Sequence, residues 1–226
     1  MKKLLVIAAH PDDELLGCGG SISKYLDNGI LVKIIFIGEG STCRYDDPFC
    51  KDAIAETNKR NLCALEALKT IGVDDHEFFN FPCGRFDQVP ILKINKVIET
   101  VIKEFRPDTV FTHSEGDSNN DHRIVHRATI MATRPCVEHV VNRLFCYEVL
   151  SSSEWSYTTS FLPNYFVSLT KKQLLAKWNA LECYETEVRE YPFPRSWQGV
   201  KSLAMSRGMQ AGIKFAEAFQ LVREFD

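Results

Sequence analysis

Short apolar runs alternate with amphipathic stretches along most of the chain. The clearest run, residues 4–9, contains no polar residue, which is typical of a strand buried on both sides of a parallel sheet, and the other short runs predict strands as well. These predicted strands are residues 4–9, 31–37, 109–112 and 144–150. Helical spacing of the apolar residues between them predicts helices over residues 14–28, 52–70, 91–105 and 121–133. The alternation predicts an α/β fold, a Rossmann-like three-layer sandwich with a mainly parallel sheet.

The last third of the chain has a less regular pattern. Residues 165–169 predict one more strand, and residues 171–189 and 200–219 predict two closing helices, with a segment rich in proline and aromatic residues between them. The longest irregular stretches are residues 38–50, 81–90 and 151–164. Because loops of this length in a compact domain are often functional, we expect at least one of these three stretches to have a functional role.

Length and composition favour one globular domain over residues 1–226. Of these 226 residues, 45% are hydrophobic and 25% are charged, which is enough for a single sizeable core. The formal net charge is −3 and the basic residues are scattered, so we expect no nucleic acid partner. A small polar substrate fits this charge balance better. The pattern leaves association into a homo-oligomer open.

Neither the cysteines nor the N-terminus indicates export or membrane insertion. The eight cysteines contain no C-x-x-C pair and several lie in apolar helical patterns, so we expect buried small side chains and no disulfide framework. They are Cys18, Cys43, Cys50, Cys63, Cys83, Cys136, Cys146 and Cys183. The apolar run after Lys3 is too short for a secretory signal, and no run approaches the ~18 residues of a membrane span. The sequence predicts a soluble cytoplasmic protein.

The turn after the first predicted strand carries the most informative motif, His10-Pro11-Asp12-Asp13-Glu14. Ligands of open parallel sheets bind outside the carboxyl ends of the strands, where this turn lies. Pro11 favours an extended His10, so the imidazole continues the strand direction. Asp12 and Asp13 fall at the start of the next helix, where one aspartate would suffice as a cap. The second acid beside a histidine therefore predicts a metal site.

His113 ends a later predicted strand, and the loop after it continues from the same edge of the sheet. His10, Asp13 and one histidine from this region give the nitrogen and oxygen set of a catalytic zinc site, with one position open for water. His122 and His126 are four residues apart on one helical face, so a pair of ligands there is conceivable. His126 is also typical of an ordinary, partly buried histidine. The residues alone leave the choice open.

The sequence resembles the LmbE-like or PIG-L family of zinc-dependent N-deacetylases over nearly its whole length. The resemblance lies in Ala9-His10-Pro11-Asp12-Asp13-Glu14, Thr112-His113-Ser114 and Asp121-His122. Weaker likeness is present at residues 60–72, at Arg207-Gly208 and at Ala216-Glu217-Ala218-Phe219, which look like the closing helix of the family. The resemblance implies an LmbE-like fold. It also implies removal of an N-acetyl group from an amino sugar, a sugar nucleotide or a sugar conjugate such as a sugar lipid.

Carried over residue by residue, the resemblance implies roles for four side chains. His10, Asp13 and His122 would bind one Zn²⁺ per chain, and Asp12 would be the general base. Zinc lowers the pKa of its bound water to ~7, and an adjacent unbound carboxylate can take the water proton. The implied activity is zinc-dependent N-deacetylation.

One position departs from part of the family. Several members carry a histidine three residues before the zinc-binding histidine, where this chain has Asn119. Asparagine can donate a hydrogen bond but cannot shuttle a proton. His113, at a strand end facing the crevice, is therefore predicted to fill this catalytic role, with His126 or Asp12 alone as alternatives.

Candidate substrate contacts are polar side chains in or near the loops. They are Arg44, Arg60, Asp87 and Asn119. The two arginines and the aspartate can bind sugar hydroxyls or a phosphate, although each is also common as a solvated charge.

Other functions fit the residues less well. Gly17-Cys18-Gly19-Gly20 lacks the last glycine of a dinucleotide-binding fingerprint, since Ile22 occupies that position. Phosphoester hydrolysis usually needs two metals ~3.5 to 4 Å apart and more ligands than the pattern provides. A non-catalytic carbohydrate-binding relative would not need Asp12 beside all three ligands. Hydrolysis of another ester or amide bond stays open.

Overall fold

The structure, a computed structural model, describes residues 1–135 and 138–226, and within them seven strands form one sheet between two layers of helices. The strands are β1 (Lys3–Ala8), β2 (Leu31–Gly38), β3 (Asp75–Phe81), β4 (Thr109–His113), β5 (Arg143–Tyr147), β6 (Tyr165–Ser168) and β7 (Ala216–Glu224). The helices are α1 (Asp13–Asp27), α2 (Lys51–Ile71), α3 (Ile91–Phe105), α4 (Asn120–Ala132), α5 (Lys171–Leu181) and α6 (Trp197–Gln210). Short 3₁₀ turns lie at Thr42–Arg44, Phe86–Gln88 and Ser153–Trp155.

The strand order in the sheet is β3-β2-β1-β4-β5-β7-β6. The first five strands in this order are parallel, whereas β7 is antiparallel to both of its neighbours. The α/β prediction of a three-layer fold with a mainly parallel sheet is confirmed. The chain builds outward from β1 to β3 and then returns to β4 on the other side of β1. This reversal creates a crevice between β1 and β4 at the carboxyl ends of the strands.

Alternate residues of β1 point into two separate apolar layers. Leu4 and Val6 pack in the layer that also contains the inner faces of α1, α2, α5 and α6. Leu5 and Ile7 pack in the layer formed with α3 and α4. All four side chains are fully buried. Burial on both faces explains why β1 appears in the sequence as an uninterrupted apolar run.

Two predictions for the last third of the chain were wrong. The helix predicted over residues 171–189 ends at Leu181, where the chain turns so that buried Tyr184 donates its hydroxyl to Glu14 at 3.0 Å. The helix predicted over residues 200–219 ends at Gln210, and the segment 216–219 belongs to β7 instead. Ala216, Glu217 and Ala218 at the start of β7 favour a helix locally, but pairing with β5 and β6 satisfies the backbone of the strand and overrides that preference.

The pattern of the sequence assigned no element to β3. This strand lies at one edge of the sheet and pairs only with β2 among the described strands. Most of its residues are half-buried or exposed, and charged side chains alternate irregularly with aromatic ones. Polar side chains are common on edge strands because they discourage pairing with other molecules. Because of these polar residues, the hydrophobic pattern of the sequence does not predict this strand.

The prediction of buried cysteines holds for only part of the set. Cys18, Cys83 and Cys146 are buried, whereas Cys43 is exposed and the prediction was wrong for it. It was also wrong for the half-buried Cys50, Cys63 and Cys183. All of these cysteines are free, and Cys136 lies outside the described residues. Within the described chain, no helix combines the length and apolarity needed to cross a membrane.

Candidate metal centre

Loops at the carboxyl ends of β1 and β4 bring the three predicted metal ligands together. His10 follows β1, Asp13 opens α1, and His122 lies in the first turn of α4. Oδ2 of Asp13 is 3.5 Å from Nδ1 of His10 and 3.3 Å from Nε2 of His122. All three side chains are buried, and one donor atom from each lies within 4.8 Å of the others. The group can therefore hold a metal ion.

A further carboxylate lies behind each of the two histidines. Nε2 of His10 donates to Oδ2 of Asp121 at 2.9 Å. Oδ1 of Asp117 lies 3.2 Å from Nδ1 of His122 as an ionic contact. Such carboxylates fix the orientation of a metal-binding imidazole and strengthen it as a ligand. Sequence reasoning missed Asp117 and used Asp121 only as part of a motif.

The charges around the group suit a bound cation. Burial opposes a charge on His10, but the neighbouring thiol and carboxylates raise its pKa well above the ordinary value. Burial likewise opposes a charge on His122, yet Asp13 and Asp117 raise its pKa to about 9. For Asp13, burial raises the pKa, but the nearby histidines outweigh burial and hold it well below its usual range. The buried carboxylates thus stabilise positive charge at this point.

Asp12 lies beside the metal group in an unusual backbone conformation. Its φ is 110°, in the left-handed region that residues other than glycine rarely adopt. Its Oδ2 accepts from Arg60 at 2.9 Å and from Arg195 at 2.6 Å. Burial raises the pKa of Asp12, although both arginines oppose the shift. A buried carboxylate with a raised pKa is well suited to accept a proton near neutral pH.

Three arginines converge on Glu187. Its carboxylate lies 2.5 Å from Arg60, 2.9 Å from Arg44 and 3.1 Å from Arg195. Arg60 also donates to the backbone oxygen of Pro11 at 2.6 Å. Both arginines predicted to contact substrate are therefore engaged by protein groups, and Arg60 is buried. Sequence reasoning missed Arg195 and Glu187 because they lie in the irregular segment between α5 and α6.

His113 and His126 occupy buried positions behind the metal group. Nε2 of His113 accepts the backbone N–H of Ala9 at 2.8 Å and lies 3.6 Å from Oδ2 of Asp13. Because Nε2 accepts, the neutral ring carries its hydrogen on Nδ1, which is buried and has no hydrogen-bond partner among the described residues. The ring stacks on His122 with centroids 4.0 Å apart. Nδ1 of His126 lies 3.0 Å from the backbone oxygen of His113 and supports that strand end.

The remaining two predicted substrate contacts, Asn119 and Asp87, have different surroundings. Asn119 is the N-cap of α4, and its side-chain oxygen accepts the backbone N–H of Asp121 at 2.9 Å. The backbone N–H of Asn119 donates to Oδ1 of Asp117 at 2.8 Å. Asn119 therefore fixes the first turn of the helix that carries His122. Asp87 is exposed in the 3₁₀ turn Phe86–Gln88.

We predict that His122→Ala loses its bound metal and that His126→Ala keeps it. Nε2 of His122 faces Asp13, whereas Nδ1 of His126 is engaged by backbone. Elemental analysis of both variants after desalting measures the difference. Loss of metal from the His126 variant alone would reverse the assignment.

Comparison with known proteins finds relatives that are similar to this chain in sequence. The diacetylchitobiose deacetylase of Thermococcus kodakarensis is 27% identical over 232 residues, which cover 98% of this chain and 84% of the relative. The uncharacterized deacetylase YaiS of Escherichia coli strain K12 is 28% identical over 193 residues, covering 82% of this chain and 91% of that protein. Both relatives are deacetylases by name.

A solved structure and a family profile match as well. The N,N'-diacetylchitobiose deacetylase of Pyrococcus horikoshii shares the fold with a TM-score of 0.76 at 21% sequence identity, across 98% of this chain and 84% of that one. The profile of the PIG-L family, described as GlcNAc-PI de-N-acetylase, matches residues 5–133. That range contains His10, Asp12, Asp13 and His122. Because it spans more than half of the 226 residues, the chain belongs to the PIG-L family.

Proposed function

We propose that the protein is a zinc-dependent N-deacetylase acting on an amino sugar, a sugar nucleotide or another sugar conjugate. The observation that carries this proposal is the position of Asp12, a buried carboxylate next in sequence to Asp13 of the metal group. The deacetylase relatives support the reaction class. Removal of another N-acyl group by the same residues is the nearest alternative.

The donor set fits zinc. Two imidazole nitrogens and one carboxylate oxygen match the three protein ligands of catalytic zinc sites, which leave a fourth position open. His10, Asp13 and His122 would hold the ion, while Asp117 and Asp121 would keep the imidazoles oriented. Bound there, zinc would supply hydroxide at neutral pH and polarise the acyl oxygen.

Asp12 carries the proton transfers in this proposal. Attack by water forms a bond from oxygen to the acyl carbon and releases a proton, which the Asp12 carboxylate accepts. The C–N bond then breaks as Asp12 returns that proton to the departing amine, leaving acetate and a free amino sugar. Arg60 and Arg195 both bind Oδ2 of Asp12, so Oδ1 is available for the proton.

We propose that His113 acts as a fixed hydrogen-bond donor. Its Nε2 is occupied by the N–H of Ala9, which leaves Nδ1–H as the donor. A donor of this kind stabilises the negative charge that develops on the acyl oxygen in the transition state. Burial also holds the pKa of His113 well below its ordinary value, so the ring stays neutral.

His113→Ala is expected to lower kcat and kcat/KM together, by roughly 10²-fold, while the metal content stays unchanged. The alkaline limb of the pH profile should remain in place because a fixed donor does not titrate. Steady-state kinetics across pH measures this, with His76→Ala on the edge strand β3 as the matched control. Full activity of the His113 variant at full metal occupancy would move attention to His126.

Substrate contacts remain a proposal for Arg44, Asp87 and Asn119. The Arg44 side chain is 48% exposed and Asp87 is exposed, so both can meet a sugar hydroxyl at the surface, Arg44 beside its ion pair with Glu187. The sequence predicts the same role for Arg60. Its burial against Asp12 supports a different role, which is to hold the general base in position.

The test combines metal analysis with an assay of amine release. Protein purified without chelator is analysed for metal and then assayed on N-acetylated amino sugars, sugar nucleotides and sugar lipids. We expect about one zinc per chain and release of primary amine from at least one of these classes. Metal content near zero, or no amine release from any substrate of the panel by the zinc-loaded protein, would overturn the proposal. The Asp12→Asn variant, purified in the same way, excludes a contaminating deacetylase.

A further inference from the structure

A second cluster of metal donors shares His10 with the proposed zinc group. Its members are His10, Cys83 and Asp121, which are all buried and whose donor atoms lie within 4.8 Å of one another. Asp121 is 2.9 Å from Nε2 of His10, whereas Nδ1 of the same ring faces Asp13 at 3.5 Å. Asp121 also accepts the N–H of Gly84 at 2.6 Å, which fixes the loop that carries Cys83.

A buried carboxylate ties a second cysteine to this cluster. Glu39 accepts the backbone N–H of Thr42 at 2.9 Å and that of Cys83 at 2.6 Å, so it joins the loops after β2 and β3. Cys43 follows Thr42 directly, so Glu39 holds the loop that carries Cys43 against the loop that carries Cys83. The loops are in close contact, since a Cβ built on Gly84 would lie 3.0 Å from Cβ of Cys43. Cys43 is exposed whereas Cys83 is buried, so the two neighbouring loops offer one sulfur to solvent and one to the cluster.

We propose that His10, Cys83 and Asp121, with Cys43 at the entrance, bind a second cation of thiophilic character, such as Cd²⁺ or excess Zn²⁺, and that this cation inhibits the enzyme. Thiolate and imidazole donors select such ions, whereas Mg²⁺ prefers oxygen ligands. On binding, the two S–H groups and the N–H at Nε2 of His10 each lose a proton to solvent as the metal takes their place.

Inhibition follows from the histidine that the two groups share. Nε2 of His10 donates to Asp121, and this bond orients the ring whose Nδ1 belongs to the proposed zinc group. A cation on Nε2 replaces that bond and brings a second positive charge next to the first. The inhibitory effect rests on the proposed function, but the binding of the second cation does not.

Cadmium is the probe of choice because its bond to thiolate has a charge-transfer absorption in the ultraviolet. The zinc-loaded protein, kept reduced with a phosphine, is titrated with CdCl₂ while absorbance, metal content after desalting and deacetylase activity are followed. We expect Cd²⁺ to bind in addition to the zinc, with thiolate absorption and a parallel loss of activity. Cys83→Ser should lose the absorption and resist Cd²⁺ by at least about tenfold in concentration, while Cys63→Ser should behave as the parent protein.

Two results would overturn the second site. One is uptake of Cd²⁺ with stoichiometric release of zinc, which would mean simple exchange at a single site. The other is unchanged absorption and metal content in Cys83→Ser. If no substrate of the enzyme is found, absorbance and metal content still decide whether the site exists, so its failure and that of the proposed function are distinguishable.

Discussion

Asp12→Asn is expected to lower kcat by about 10² to 10⁴ while the protein keeps its fold and its metal. The amide has nearly the size of the carboxylate but cannot accept the proton of the attacking water. Asparagine also tolerates the left-handed backbone at this position, where φ is 110°. The oxygen of the introduced amide can still accept a hydrogen bond from Arg60 or Arg195, so the local packing should survive.

Stopped or steady-state assays of amine release, together with elemental analysis, measure this effect. The exposed Asp52→Asn on α2 is the matched control, because it makes the same chemical change at a solvent-exposed position outside the metal group. Near-normal turnover by the Asp12 variant at full metal occupancy would remove Asp12 from the mechanism. A loss of metal equal to the loss of activity would instead assign Asp12 a role in metal binding.

Local patterns in the sequence were sufficient for the centre of the fold. β1 is buried from Leu4 to Ala8 and β2 from Ile34 to Gly38, so both contain an uninterrupted apolar run, whereas buried β4 combines Val110 and Phe111 with two threonines. The rule that ligands bind beyond the carboxyl ends of parallel strands then placed His10 and His113 at one edge. The rule does not give the order of the strands; the structure shows that β1 and β4 are neighbours, which brings the two histidines together.

Contacts from distant parts of the chain were beyond such rules. Arg195 reaches Asp12 from 183 residues away, and its segment carries no helix or strand pattern that would fix its path. Asp117 looks like one more polar loop residue until the fold places it 3.2 Å from His122. Cys83 follows β3, a polar edge strand that the hydrophobic pattern does not predict. The position of Cys83 next to His10 could therefore not be predicted.

The closing strand β7 shows how pairing overrides local preference. Its first four residues, Ala216 to Phe219, are all buried, and the sequence alone likened them to a helix. Glu217 links this segment to the helix that carries part of the candidate metal centre. It accepts the backbone N–H of Gly20 at 2.9 Å and that of Ser21 at 2.6 Å, and so anchors α1, the helix that begins with Asp13.

Asp13→Ala is expected to abolish metal binding and to lower kcat/KM by roughly 10³-fold or more, since a bound metal supplies several kcal/mol and each 1.36 kcal/mol is a factor of ten. Among the described residues, Oδ2 of Asp13 is the carboxylate oxygen that contacts both His10 and His122, at 3.5 and 3.3 Å. Without it, two imidazoles face each other with no negative charge between them.

Asp117→Asn is the comparison that separates a ligand from a residue that orients one. It should weaken metal binding by about 10- to 100-fold, because it supports His122 without contributing a donor atom to the metal group. Competition with a chelator measures both affinities, and thermal unfolding checks that each variant is folded. Added zinc should therefore restore the metal content of Asp117→Asn but not that of Asp13→Ala. Equal metal affinities in the two variants would contradict the placement of Asp13 among the ligands. Excess zinc can offset the weaker binding caused by a poorly oriented histidine, but it cannot replace a missing ligand.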